Sequence, residues 1–135
     1  MKYKFFPHTA DIKFQAFGKT IGEAFENSAY ALKEAILEKI KIKEKIEKKI
    51  SVTGNDNESL LYNFLEEFLF LLDAEDFLFS KIKNLEIKNN KLNAIITGDK
   101  ASDYKFSNDV KAVTYNEMFV KQERGKWIIQ VVLDV

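Results

Sequence analysis

The chain has 135 residues, 46% of them hydrophobic and 31% charged, with 21 Lys and Arg balancing 21 Asp and Glu. That length points to one domain, residues 1–135, able to bury a core without staples. The lack of cysteine excludes disulfides, thiolate metal centres and cysteine nucleophiles, and zero net charge argues against bulk attraction to nucleic acid. Met1-Lys2-Tyr3-Lys4 leads into structure with no secretory pattern, and the longest apolar run, Phe68 to Leu72, is too short to span a bilayer. The expected location is the cytoplasm.

Tyr3 to Phe6 reads as a short strand stopped by Pro7. Ile12, Phe14 and Ala16 alternate with Lys13, Gln15 and Phe17, the period of a half-buried strand that ends at Gly18. Thr20-x-x-Glu23 is a capping box, and a helix over 21–37 follows, with Ala24, Phe25, Ser28, Ala31, Leu32, Ala35 and Ile36 as its inward stripe. From Lys41 to Val52 the spacing of Ile42, Ile46 and Ile50 fits a helix, whereas β-branched content and Gly54 favour a strand from about Lys43. Asp56-Asn57-Glu58 opens a second helix that runs to about Leu72 with a wide apolar arc.

The remainder reads as β. Strands over 82–88 and 92–97 flank Asn89-Asn90, a turn pair that tolerates positive φ. Residues 98–108 read as a polar loop, 110–121 as a strand, 123–126 as a turn and 127–134 as the last strand. The element order predicts an α+β fold, two helices on one face of a mainly antiparallel mixed sheet. Charge is uneven along the chain. Lys39 to Lys49 carries six lysines against two glutamates, and Gly54 to Ser80 carries seven acids and no base. Such segments either steer a charged partner or form solvated faces.

The chemistry-bearing residues sit at the two ends. Parity in the last strand puts Trp127, Ile129, Val131, Leu133 and Val135 on one face, and Ile128, Gln130, Val132 and Asp134 on the other. Asp134 and the Val135 α-carboxylate are adjacent anions. If the early Asp11 joined them, three carboxylates would converge, and a hard cation with oxygen ligands, Ca²⁺ or Mg²⁺, would be the natural partner. Otherwise Asp11 caps a turn and Asp134 is solvated at a frayed end. His8, the single histidine, could act as a base, bind metal or brace the turn after Pro7. Without a second histidine or any cysteine, a zinc site is disfavoured. No phosphate-cradling glycine motif and no Gly-x-Ser-x-Gly elbow occurs. Lys111 opens the late strand, where it could meet a phosphate or a partner's carboxylate or could snorkel at a sheet edge; parity groups it with Val113, Tyr115 and Phe119.

Four stretches taken together resemble the archease family over essentially the whole chain: His8-Thr9-Ala10-Asp11-Ile12, Leu71-Leu72-Asp73-Ala74-Glu75, Lys111-Ala112-Val113-Thr114-Tyr115, and Trp127 followed by Asp134-Val135. The resemblance implies a small non-catalytic α+β protein that assists the GTP-dependent tRNA-splicing RNA ligase. It implies that the protein promotes guanylylation of the ligase's catalytic subunit and multiple turnover, and that it widens nucleotide choice. It also implies a calcium site at Asp11, Asp134 and Val135, with magnesium as the alternative, and a functional lysine at Lys111. His8 and Lys111 become candidate partner contacts; no membrane and no sequence-specific nucleic acid are expected. Lys13 and Asn116 depart from the family pattern, where glycine and histidine are common, and residues 99–109 match it poorly. Two rival readings stand beside this one. One is a chaperone or specificity modulator of a tRNA-modifying methyltransferase, acting through the Lys39–Lys49 segment and the second helix. The other is a small metal-dependent hydrolase, for which no general base stands out beside the carboxylates.

Overall fold

The computed structural model describes residues 1–135, the whole of the sequence. Its elements in chain order are β1 (Tyr3–Phe6), β2 (Asp11–Gly18), α1 (Ile21–Leu37), β3 (Ile46–Thr53), α2 (Asn57–Glu75), β4 (Phe77–Lys88), β5 (Lys91–Lys100), β6 (Ala112–Glu123) and β7 (Lys126–Asp134). The α+β class is as expected. The single mixed sheet is not: there are two sheets, β1-β2-β7-β6 and β3-β5-β4, and every pairing is antiparallel. No helix is long and apolar enough to cross a membrane.

Local chemistry explains where the elements start and stop. The Thr20 hydroxyl accepts from Glu23 N–H at 3.1 Å, while the Glu23 carboxylate reaches back to Lys19 N–H. Asp56 caps α2 by accepting from Ser59 N–H at 2.7 Å, and the helix continues three residues past Leu72 before Asp76 turns left-handed at φ 52°. Asn89 and Asn90 both adopt positive φ, 52° and 59°, which closes the β4–β5 hairpin as anticipated.

One contiguous core joins both layers. Phe14, Ala16, Ile129, Val131 and Leu133 from the four-stranded sheet meet Phe25, Leu32, Phe64, Leu65, Leu92 and Ile96 from the helices and the other sheet. Helix α1 packs mainly on β2, and α2 packs on β6, β3 and β4. The exposed edge of β6 is covered by α2 through side chains four residues apart. Glu66 accepts from Val113 N–H at 2.7 Å, Glu58 accepts from Val120 N–H at 3.2 Å, and Tyr62 between them stacks on Tyr115 at 4.4 Å.

Two expectations about the β segments are corrected. Strand β3 begins at Ile46 rather than Lys43: Ser80 Oγ donates to the Ile42 carbonyl and Lys43 N–H donates to Tyr104, and the chain first bonds to β5 at Lys45, whose N–H donates to the Gly98 carbonyl at 2.9 Å. The polar loop expected over 98–108 loses its first three residues to β5, where Gly98 and Asp99 are buried. Asp99 is tolerated there because Tyr104 O–H donates to it at 2.7 Å and Lys100 N–H at 2.8 Å, and these bonds hold its carboxyl below the ordinary range.

Candidate functional site

The β2–β7 register places Asp11 directly opposite Asp134, and the β6–β7 register places Ala112 on the other side of Asp134. Facing residues of an antiparallel pair have Cβ atoms about 5 Å apart, so two carboxylates in this position repel one another. Asp134 is exposed and makes no ion pair. Asp11 is half-buried and its Oδ1 lies against His8 Nδ1. The turn that delivers Asp11 passes through Ala10 at φ 63°, a left-handed conformation that an alanine adopts at a cost of about 1 kcal/mol. Val135 follows Asp134, exposed, one residue past the end of β7. Lys111 N–H donates to the Asp134 carbonyl at 2.8 Å, which fixes the Lys111 backbone beside this corner, and its exposed ammonium has no ion-pair partner.

A second group of side chains meets the corner from β6. Between Thr114, opposite Val132, and Phe119, opposite Gln130, β6 spends five steps where β7 spends two. The surplus of three residues lifts Tyr115 to Met118 out of the ladder. It also flips parity, so Phe119 shares a face with Thr114. The expected grouping of Lys111 and Val113 with Tyr115 and Phe119 is therefore corrected. The excursion carries Glu117, at φ 56°, over the outer face of the sheet, where Gln130 Nε2 donates to the Glu117 carbonyl at 2.8 Å. The Glu117 carboxylate accepts from Lys13 Nζ at 2.9 Å through Oε1 and faces His8 Nε2 at 3.1 Å through Oε2. The Lys13 hydrogen bond foremost, then that of His8, holds the Glu117 carboxyl below its ordinary range.

The fold thus brings His8, Asp11 and Asp134 to one corner with Lys111 and Val135 beside them. It adds two residues absent from the site read from the sequence. Lys13, read there as a strand residue that departs from the family pattern, pairs with Glu117. Glu117 itself falls inside the strand expected over 110–121, and the available signal was Asn116, a turn-favouring residue inside that strand. No three His, Asp or Glu side chains converge closely enough to hold a metal ion. The side chains of Asp11 and Asp134 alone supply a two-carboxylate, all-oxygen donor set of the kind hard divalent cations take.

Comparison with known proteins agrees with this architecture. The family model described as the archease protein family (MTH1598/TM1083) matches residues 3–135. The chain is 40% identical to the protein archease of Pyrococcus furiosus, with 99% of each chain covered. It is 36% identical to that of Methanosarcina mazei, with 99% of this chain and 96% of the relative covered. The solution structure of Methanobacterium thermoautotrophicum protein 1598 superposes with a TM-score of 0.84 at 34% identity, covering 99% of both chains. A crystal structure from Thermotoga maritima, described as an archease and possible chaperone, shares the fold at a TM-score of 0.69 and 18% identity, covering 98% of this chain and 96% of that one. On its sequence and its fold alike, this chain belongs to the archease family.

Proposed function

We propose that this protein is a non-catalytic cofactor of the GTP-dependent tRNA-splicing RNA ligase, promoting guanylylation of the ligase's catalytic subunit and multiple turnover. The observation that carries the reading is the register of Asp11 against Asp134, two facing carboxylates that no lysine or arginine pairs with, only the His8 ring lying against Asp11. In this reading Asp11, Asp134 and the α-carboxylate of Val135 hold a divalent cation, calcium or magnesium. When bound, the ion supplies the positive charge that facing carboxylates need. Lys111, fixed beside Asp134, positions a phosphate or an acid on the ligase, and His8 braces the turn bearing Asp11. Activation requires this corner to bind the guanylylation-competent state of the ligase more tightly than its other states.

The test is formation of covalent ligase–GMP from purified cognate ligase and GTP, with and without this protein and with and without a chelator. Wild type should stimulate. Asp11→Asn and Asp134→Asn should lose stimulation while keeping their unfolding midpoints. A cognate ligase that ignores the wild-type protein at every calcium and magnesium concentration would overturn the ligase reading. Stimulated methyl transfer by a tRNA methyltransferase in the same series would replace it.

A further inference from the structure

We propose that Glu117 is a positioning residue of the Asp11 corner, holding His8 from its far side so that His8 in turn fixes the Asp11 carboxylate. The inference rests on the reading above that Asp11 is a metal ligand. Three observations support it. The first is connectivity: the His8 ring is clamped between two carboxylates that are 106 residues apart in sequence, Asp11 at Nδ1 and Glu117 at Nε2, the latter at 3.1 Å. A ligating carboxylate whose orientation is set by an outer partner keeps its geometry only while that partner is itself held.

The second is backbone conformation. Glu117 sits at φ 56°, a region that β-carbon crowding makes unfavourable for a glutamate and that glycine enters freely. Such an outlier persists where the surrounding structure imposes it. Here Gln15 Nε2 donates to Gln130 Oε1 at 2.9 Å, and Gln130 Nε2 donates to the Glu117 carbonyl at 2.8 Å, so the outer face of the sheet pins the excursion. The third is that both carboxylate oxygens are engaged, Oε1 by Lys13 at 2.9 Å and Oε2 by His8. A side chain tethered at both oxygens has one position to offer the imidazole. Lys13 and the Asn116–Glu117 excursion, sequence features that share no element, are thus parts of one device.

The experiment is calcium titration of the full chain by calorimetry, with CaCl₂ as the probe and a parallel MgCl₂ titration of wild type. The variants are wild type, Glu117→Gly, His8→Ala and the double variant. Glu117→Gly removes the carboxylate and relaxes the backbone, so its thermal midpoint should not fall. Its calcium affinity should drop by about tenfold, the usual scale for loss of an outer partner of a ligand. In the His8→Ala background the same change should alter affinity less than about twofold, because the influence passes through the ring. The single imidazole provides a readout free of calcium: its ¹⁵N–¹H correlations should shift in Glu117→Gly. Should that variant fail to fold, Glu117→Ala, which removes both acceptor oxygens, carries the same test. If wild type takes up neither calcium nor magnesium, the metal reading falls and the proposal with it. If wild type binds calcium and Glu117→Gly binds as tightly, the proposal alone falls. An equal loss with and without His8 would also overturn it, since Glu117 would then act by its own charge.

Discussion

Replacing Glu66 by methionine should unfasten the edge of β6 next to the Asp134 corner. Glu66 reaches from α2 to accept the Val113 N–H at 2.7 Å, and Val113 pairs with Leu133 one step from the Ala112–Asp134 pair. Methionine matches glutamate in length and helix propensity but offers no oxygen, so it leaves a partly buried backbone donor without a partner. An unsatisfied donor costs about 1–3 kcal/mol, and a hydrogen bond to a charged acceptor is worth about 1.5–3 kcal/mol. Because this carboxylate is half-buried, the lower part of that range applies. We expect Glu66→Met to destabilise by about 1.5 kcal/mol, roughly tenfold in the unfolding equilibrium. For a chain of this length that lowers the melting temperature by about 5 °C. Glu66→Gln keeps the acceptor oxygen and should cost less than about 0.5 kcal/mol. Guanidinium unfolding at constant m-value reads the difference, and amide exchange at Val113 should accelerate in Glu66→Met alone. Equal stabilities for the two variants, or an unchanged Val113 exchange rate, would show that the carboxylate does not secure this edge.

Two further outcomes are expected. Tyr3 O–H donates to Glu34 at 2.8 Å, and burial first, then Glu34, pushes its phenol from 10.0 up to about 12. A raised pKa in the folded state means the unfolded chain gives up this proton first. The stabilisation is therefore complete below about pH 10 and lost as pH rises toward about 12. Urea midpoints measured between about pH 8 and about pH 11 should decline less steeply in Tyr3→Phe, and identical slopes would refute the assignment. At Gly98 an added Cβ would lie 2.1 Å from the Leu78 carbonyl oxygen and 2.7 Å from the Phe77 ring. Neither neighbour is a flexible chain end, so Gly98→Ala should cost more than about 3 kcal/mol or prevent folding. Gly125→Asn, at φ 72° with nothing within 4 Å of the added Cβ, should cost less than about 1 kcal/mol. Similar losses at the two sites would refute the steric argument.

Short-range chemistry was legible in the sequence. The Thr20 and Asp56 caps, the positive-φ Asn89-Asn90 turn and the alternation of β2 and β7 all depend on neighbours within four residues, so the order of side chains alone determined them. That alternation also assigned Asp134 correctly to the face opposite Leu133. It could not say which strand faces β7. Only tertiary pairing set Asp11 across from Asp134, because strand register is decided by burial of a whole sheet face. The expectation for β6 failed for a related reason. Parity counting assumes a continuous ladder, and the three surplus residues at Tyr115–Met118 break it. Residues 98–100 read as loop because Gly98 and Asp99 look solvent-exposed locally, yet Tyr104 satisfies Asp99 inside the fold. Glu117 illustrates the limit most directly. Its partners Lys13 and His8 lie 104 and 109 residues away, and no local pattern encodes a contact that only the meeting of β6 with the β1–β2 turn creates.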